Sequence, residues 1–433
     1  MSQSNDFQLN DPRIINGWAF FDWANSAFAL VITAAIFPGY YVAVTDEVVR
    51  VFGVEMSNSS LYAYAISGSY FLIALFSPIL SGIADYGGRR KFFLKFFTVM
   101  GSIACLSLYF FKGMDQLVVG TAGFMVAMIG FAGGLVFYNA FLPVIASEDQ
   151  YDRVSARGFS FGYIGSVILL VGNLVMIIYY DTFGFPDKGA ATRFAFLTVG
   201  LWWMGFALIP FIRLPSDEKQ KATPGLLKRG AQELRKVWLA VKHQKDTRNF
   251  LFSFFCYSAG VQTVLFLAAT FAEKELEFGT SELIGVVLIL QIVAIAGAVS
   301  FARLSEWKGN KVALVTILII WVGICLVGYF VQAKVQFYGI AASVGLVMGG
   351  IQSLSRSTYS KLIPEGTKDP TSYFSFYDVL EKTAIIIGTF SFGFVEQLTG
   401  SMRVSLLVLG SFFVVGLLIL LTVRIRRGEV VGG

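Results

Sequence analysis

Long apolar runs constrain this chain more than any motif does. A segment of 18 or more apolar residues with few charges fits a bilayer core of about 30 Å. Twelve such segments can be counted, at 16–43, 60–83, 92–111, 116–145, 157–180, 194–212, 249–272, 281–302, 311–331, 336–361, 372–397 and 403–423. One long polar stretch interrupts them. Residues 213–248 carry ten Lys or Arg residues and leave six apolar segments on each side. The expected architecture is therefore an all-α membrane protein of twelve transmembrane helices. Residues 1–212 would form one six-helix bundle, 213–248 a basic cytoplasmic linker, and 249–433 a second, pseudo-symmetric six-helix bundle. Composition agrees: 14% of the 433 residues are charged, against about 25% in soluble globular chains. The alternating segments of about 10 residues that an outer-membrane barrel requires are absent.

Basic residues set the orientation. With the N-terminus inside, the inner segments hold 25 Lys or Arg residues and the outer loops 7. Both termini are thus expected in the cytoplasm, with the chain multi-pass in the cell (inner) membrane. The same distribution assigns the net charge of +6 to loops facing a bilayer rather than to a nucleic-acid surface. Within the linker, Leu227, Ala231, Leu234, Trp238 and Val241 recur at helical spacing, opposite Lys228, Arg229, Arg235, Lys236 and Lys242. That pattern suits a helix lying on the inner membrane surface and steadying the two halves. Cys105, Cys256 and Cys325 all fall inside apolar segments and the single histidine, His243, lies in the linker. No disulfide, metal site or cofactor is expected from that set. No cluster of nucleophile, base and orienting group points to an enzyme.

Charges inside the spans are the informative exceptions. Each costs about 2.5–3.5 kcal/mol or more at the bilayer centre and so calls for a partner or a water-filled cavity. The first span contains Asp22-Trp23-Ala24-Asn25-Ser26, in which Asp22 and Asn25, three apart, share a helix face. The tenth holds Arg356, and the eleventh holds Asp378, Glu381 and Lys382 at i, i+3 and i+4. All five charges fall toward the cytoplasmic third and, as one network, would sum to three negative and two positive. Two readings stay open. In the first, the pairs form a gate that closes the inner side of a cavity in one state and parts in the other. In the second, Lys382 and Arg356 hold a substrate carboxylate while Asp22, Asp378 or Glu381 carries a coupling proton, because a buried carboxylate short of a partner can load and release a proton near neutrality. Tyr138, Asn139, Gln262, Gln291 and Gln352 would either orient the solute or pack the core.

An internal repeat runs through the chain. Between the second and third spans, Asp85, Gly88, Arg89 and Arg90 place an acid, a glycine turn and a basic cluster, and only glycine takes positive φ freely. Asp85 is expected near the start of the third helix, where the macrodipole favours an anion. Glu306, Gly309 and Lys311 repeat the order acid, glycine, base 221 residues later. Phe159-Ser160-Phe161 and Phe374-Ser375-Phe376 form a second echo, 215 residues apart. A third sets Gly130, Gly133 and Gly134, upstream of Tyr138-Asn139, against Gly345, Gly349 and Gly350, upstream of Gln352 and Arg356. Small residues at such spacings let helices pack closely in a membrane. Several echoes at one offset mark a duplicated transporter architecture, with the two acid–glycine–base loops as conformational gates.

The paired loops, the spans and the central linker resemble the major facilitator superfamily. More specifically, Phe21-Asp22-Trp23-Ala24-Asn25-Ser26-Ala27-Phe28 resembles the "unknown major facilitator" family, which is related to autophagy-linked vacuolar amino-acid effluxers. So do Val136-Phe137-Tyr138-Asn139-Ala140-Phe141-Leu142-Pro143 and Gly349-Gly350-Ile351-Gln352-Ser353-Leu354-Ser355-Arg356-Ser357. The chain departs from the wider pattern at Ser81, where glycine is usual, and at Tyr86, where a base is usual. Asp378 stands where members often have asparagine. The resemblance implies a monomeric secondary transporter.

The function expected is secondary active transport of a small polar solute, an amino acid or small organic anion, outward by alternating access. With no ATP-binding loop in the sequence, an ion gradient would drive it, the proton preferred. Its partners would be the solute, the coupling proton and the lipid bilayer. One alternative is uptake of a sugar or peptidoglycan fragment, with Trp18, Trp23 and Tyr257 stacking on its rings. Another is a non-transport scramblase or sensor.

Overall fold

The computed structural model describes residues 8–51, 53–216 and 226–425. Thirteen long helices account for most of them. The first six are α1 (Pro12–Val44), α2 (Asn58–Gly87), α3 (Arg90–Ser107), α4 (Leu117–Asn139), α5 (Tyr151–Ile178) and α6 (Lys188–Arg213). The linker helix α7 (Leu226–His243) follows, then α8 (Lys245–Leu276), α9 (Thr280–Lys308), α10 (Asn310–Phe330), α11 (Lys334–Leu362), α12 (Pro370–Thr399) and α13 (Met402–Leu421). Ten of these are long and apolar enough to cross a membrane, counted over the described residues: α1–α6, α9–α11 and α13. The helices α8 and α12, of 32 and 30 residues, occupy the other two expected positions and pack among the rest. A hairpin of β1 (Val48–Val51) and β2 (Val54–Ser57) joins α1 to α2.

Local chemistry sets the helix ends. Asp11 caps α1 by accepting the Arg13 N–H at 2.7 Å, with Pro12 at the first helical position, where its missing N–H costs nothing. Ser57, Asp187 and Ser401 cap α2, α6 and α13 in the same way. At the other end of α2, Gly88 takes φ 59° and turns the chain directly into α3. Midway along α1, the stretch Phe28–Ile36 winds as a π-helix, just beyond the Asp22–Ser26 motif.

Two apolar cores organise the packing. Trp18, Phe28, Phe37, Phe124 and Trp203 belong to the first, among α1–α6. Phe250, Tyr257, Trp321, Tyr359 and Phe413 belong to the second, among α8–α13. The expected small-residue contacts occur. A Cβ on Gly130 of α4 would lie 2.5 Å from Gly101 Cα of α3, and one on Gly349 of α11 would lie 2.0 Å from the Ala294 carbonyl oxygen of α9. With little hydrophobic gain available between helices in lipid, such close approach supplies the packing. The two sets meet where α5 runs against α9 and α11 and where α2 runs against α12.

One end of this assembly, the linker end, gathers the end of α2, the starts of α3, α5, α8, α10 and α12, and the ends of α6, α9, α11 and α13. Contacts such as Lys91 Nζ to the Leu214 carbonyl, Thr247 Oγ1 to the Leu362 carbonyl and Lys311 Nζ to the Leu421 carbonyl tie it together. The linker helix itself packs against α2 and reaches α12. Its apolar face is turned slightly from the expected one. Val237 and Val241 are buried, Leu234 is half-buried, and Ala231 is exposed. Trp238 is 53% exposed and sets its ring 5.5 Å from Phe376. The side chains of Leu227 and Arg229, and residues 217–225 of the linker, lie outside the described residues.

Candidate functional site

Helix α1 presents Trp18, Asp22 and Asn25 along one face, toward α4 and α11. The Asp22 carboxylate accepts the Tyr138 hydroxyl at 2.7 Å and Arg356 Nη1 at 3.3 Å. Arg356, from α11, also donates from Nη1 to Asn139 Oδ1 at 3.3 Å, from Nε to Ser155 Oγ and from Nη2 to the Ser155 carbonyl, both at 2.9 Å. Its guanidinium carbon lies 4.6 Å from the Trp18 ring and 4.2 Å from the Phe159 ring, a geometry in which the ring quadrupoles attract the cation. Trp18 is held by its Nε1–H donating to the Tyr138 carbonyl at 3.0 Å. Gly158 makes this possible: a Cβ there would lie 2.6 Å from Asp22 Oδ2 and 2.9 Å from Arg356 Nη2. Four expected residues, Asp22, Tyr138, Asn139 and Arg356, thus meet in one buried group that joins the two helix sets.

Three further layers zip the same interface. Tyr163 of α5 donates to Gln352 Oε1 of α11 at 2.6 Å, and Ser155 Oγ donates to the Ser353 carbonyl at 2.7 Å. Nearer the linker end, Asp152 is 1% exposed. Its carboxylate accepts Lys361 Nζ at 2.8 Å, Ser305 Oγ at 2.9 Å and Asn310 Nδ2 at 2.7 Å. Lys361 also donates to Asn310 Oδ1 at 2.7 Å. Sequence reasoning missed Asp152, Ser155 and Lys361. The available signal was the face Asp152, Ser155, Phe159, Tyr163, which follows helical spacing out of the apparent loop into the fifth span.

The two acid–glycine–base loops stand at the linker end. Asp85 meets the start of α3 through the Arg90 side chain, while its backbone donors come from α12. It lies in the last turn of α2 and accepts the backbone N–H groups of Thr371 and Ser372, at 3.2 and 2.6 Å, at the N-terminus of α12. The helix N-terminus that stabilises the anion thus belongs to the other helix set. Arg90 pairs with Asp85 at 3.6 Å and donates to Thr371 Oγ1 at 2.9 Å. Arg89 contributes its backbone, donating to the Ala84 carbonyl at 2.9 Å. In the second loop Glu306 pairs across the interface with Arg153 of α5 at 3.2 Å. Gly309 takes φ 92°, and Lys311 donates to the Leu421 and Val423 carbonyls at the end of α13.

The α12 charges form a separate group. Lys382 Nζ lies 3.0 Å from Asp378 Oδ1 and 3.1 Å from Glu381 Oε2. Gln262 of α8 donates to Glu381 Oε1 at 3.3 Å, and the Tyr70 ring of α2 lies 5.5 Å from Lys382 Nζ. The single five-charge network does not form: among the described residues no hydrogen bond or ion pair joins this group to Asp22 or Arg356. Helix α12 approaches α8 and α2, whereas α11 approaches α1 and α5. Asn25 lies one turn beyond Asp22, 1% exposed, with neither amide atom bonded among the described residues. Gln291 Oε1 is likewise buried without a bond.

Comparisons with known proteins agree with this architecture. A family model described as "Vacuole effluxer Atg22 like" matches residues 10–432. The chain is 32% identical over 408 residues to the uncharacterized MFS-type transporter YxiO of Bacillus subtilis (strain 168), covering 94% of this chain and 93% of that one. It is 25% identical over 437 residues to autophagy-related protein 22 of Saccharomyces cerevisiae (strain ATCC 204508 / S288c), covering 88% and 80%. Among solved structures it resembles the major facilitator superfamily transporter FucP in the outward conformation, with TM-score 0.72, 15% identity and coverage of 96% and 99%. The human organic anion transporter MFSD10 gives TM-score 0.70 at 14% identity, covering 95% and 100%. The family and fold are those of major facilitator transporters, which are not enzymes. The chain therefore belongs to the Vacuole effluxer Atg22 like family and is a multi-pass membrane transporter of the major facilitator fold.

Proposed function

We propose that this chain is a secondary active transporter that moves a small polar solute, an amino acid or small organic anion, outward by alternating access. The coupling ion is the proton. In this reading α8 and α12 also cross the bilayer, making twelve spans in two six-helix bundles (1–212 and 249–433) joined by the linker 213–248. The linker end faces the cytoplasm of a cell (inner) membrane, and the working unit is a monomer.

One observation carries the reading. The hydrogen bonds and ion pairs described between the helix sets gather at the linker end, in layers running from Asp85 and Asp152 inward to Asp22 and Arg356. Toward the far end the sets meet through apolar side chains such as Ile385, Val287 and Leu288. An interface latched at one end by groups that separate as a set is what a rocking mechanism uses. Asp22, Arg356, Tyr138, Asn139 and Gln352 then serve as the closure. Asp85, Gly88, Arg89, Arg90, Glu306, Gly309 and Lys311 serve as the loop gates. Asp378, Glu381, Lys382 and Asn25 serve the solute and the proton. The sugar alternative fares worse, because its rings are engaged within the protein. Trp18 stacks on Tyr138 at 4.5 Å, Trp23 on Trp202 at 5.6 Å, and the Tyr257 hydroxyl bonds Ser355 Oγ at 2.8 Å.

Purified protein in proteoliposomes tests this directly. Labelled amino acids and organic acids should cross under an imposed pH gradient, faster than in protein-free vesicles, and Asp22→Asn should abolish the gain. Equal flux with and without protein, under either gradient polarity, rejects the reading.

A further inference from the structure

The α12 charges are not balanced. Two carboxylates, Asp378 and Glu381, share one ammonium, Lys382, so the ionised group carries one net negative charge. Arg356 is not available to offset it, since its nitrogens are engaged by Asp22, Asn139 and Ser155. The deficit has a specific location. Glu381 is served at both oxygens, by Gln262 and Lys382. Asp378 is served only at Oδ1. Its other oxygen, Oδ2, accepts no hydrogen bond among the described residues, although the residue is 5% exposed. A buried carboxylate oxygen left without a donor is costly, and a ligand that brings a charge-assisted donor recovers that cost.

We propose that Asp378 Oδ2 is an ammonium-recognition point: the solute carries a protonated amine, and that amine, rather than a carboxylate, is what the α12 group selects. Lys382 is a positioning residue in this scheme. Its bonds to Asp378 Oδ1 and Glu381 leave the second Asp378 oxygen without a donor among the described residues and leave the ammonium with no free charge for a solute anion. The Tyr70 ring of the other helix set lies under Lys382 Nζ at 5.5 Å, and that cation–ring contact helps hold the positioning residue in place. This deepens the transporter reading and rests on it for the solute's route. It narrows the solute class from anions and zwitterions to those bearing an amine.

The test uses full-length protein in lipid nanodiscs, in potassium phosphate buffer, with three probes of one carbon skeleton: butylamine, 2-aminobutyrate and butyrate. Binding is followed by calorimetry or by ligand-induced thermal shift. Butylamine and 2-aminobutyrate should bind, and butyrate should bind at least tenfold more weakly. Asp378→Asn should weaken the amine-bearing probes at least tenfold, whereas Glu381→Gln, whose oxygens are already served, should weaken them less. Butyrate binding as tightly as 2-aminobutyrate overturns the proposal, as does unchanged amine affinity in a folded Asp378→Asn protein. Stabilisation by sodium chloride but not by the amines also overturns it, in favour of an inorganic cation. Flux in proteoliposomes separates the two readings. Butyrate carried by wild type, indifferent to Asp378→Asn, sinks this inference and leaves transport standing. Amines that bind through Asp378 but never cross leave this inference standing and sink transport.

Discussion

The two charged groups within the helix assembly are neutralised in opposite ways. Around Arg356 the charges balance one to one, the guanidinium nitrogens are bonded, and aromatic rings cover it. Its partners come from α1, α4 and α5, in the other helix set. The α12 group draws its three charges from one helix, holds two acids to one base, and leaves a carboxylate oxygen unserved among the described residues. A satisfied group that bridges two bodies must be broken for them to part, so it fixes a state. Under the proposed rocking mechanism, a group whose charges ride on one helix would stay assembled in every state, and an unserved valence would let it hold a ligand throughout. The same kinds of residue therefore do different work according to which bodies their partners belong to.

Removing Arg356 should break this contrast most visibly. Truncating one partner of a buried pair costs about 3–5 kcal/mol, because the other charge is left uncompensated. In the proposed rocking mechanism the loss falls on the linker-closed state alone, so it should appear as a population shift; about 3 kcal/mol is roughly a hundredfold. Labelling of a cysteine placed by Ser353→Cys, with Cys105, Cys256 and Cys325 replaced, reads that shift from the linker side. Arg356→Ala should accelerate labelling by about a hundredfold, and Asp22→Asn combined with Arg356→Gln should recover part of the protection. Lys382→Met removes a buried cation too, yet should leave labelling unchanged while lowering the melting temperature. Equal acceleration by both variants would erase the distinction drawn above.

A smaller test leaves every charge in place. Gly158 lies where Asp22, Arg356 and Trp18 converge, and a Cβ would fall 2.6 to 2.9 Å from atoms of all three. Gly158→Ala should cost about 1–3 kcal/mol as an overpacked site, again read as faster labelling of the Ser353→Cys reporter. Gly172 on the same helix supplies the control, since a Cβ there would meet nothing within 4 Å: Gly172→Ala should change nothing.

Much of the fold was legible because bilayer thickness dictates segment length, so the apolar runs marked helix positions without any tertiary information. What hydropathy could not see was polar helix. The fifth apolar run begins at residue 157, yet α5 begins at Tyr151. The missing turns carry Asp152 and Ser155, which are buried against α9, α10 and α11 instead of lipid. The motif around Asp22 was found because a carboxylate in an apolar run is conspicuous; Asp152 hid among the polar residues of an apparent loop. Asp378 and Lys382 pair at 3.0 Å, as residues at i and i+4 can on any helix. Whether that pair reaches Arg356 depends on how α11 and α12 are placed, which no local pattern encodes. Asp85 teaches the same lesson: its helix-dipole partner was the right kind of partner on the wrong helix.

The smallest expected effect sits at the linker. Lys236 Nζ reaches Asp369 Oδ2 at 2.8 Å, just before α12, and Trp238 lies 5.5 Å from Phe376. These contacts connect α7 to the C-terminal helices while the body of α7 packs on α2, so they too bridge the two sets. The Lys236 side chain is 65% exposed, however, and solvent-exposed pairs of this kind contribute about 0.2–1 kcal/mol. Lys236→Ala should therefore speed labelling of the Ser353→Cys reporter by no more than about fivefold. Raising the salt concentration should reduce the wild-type advantage over this variant, because exposed charges are screened. The Arg356→Ala effect, arising from a pair only a few per cent exposed on either side, should survive the same salt. If both effects fade together with salt, the buried closure draws its strength from the same screened attraction as the linker contact. The division between a desolvated latch and a solvated strap would then have to be abandoned.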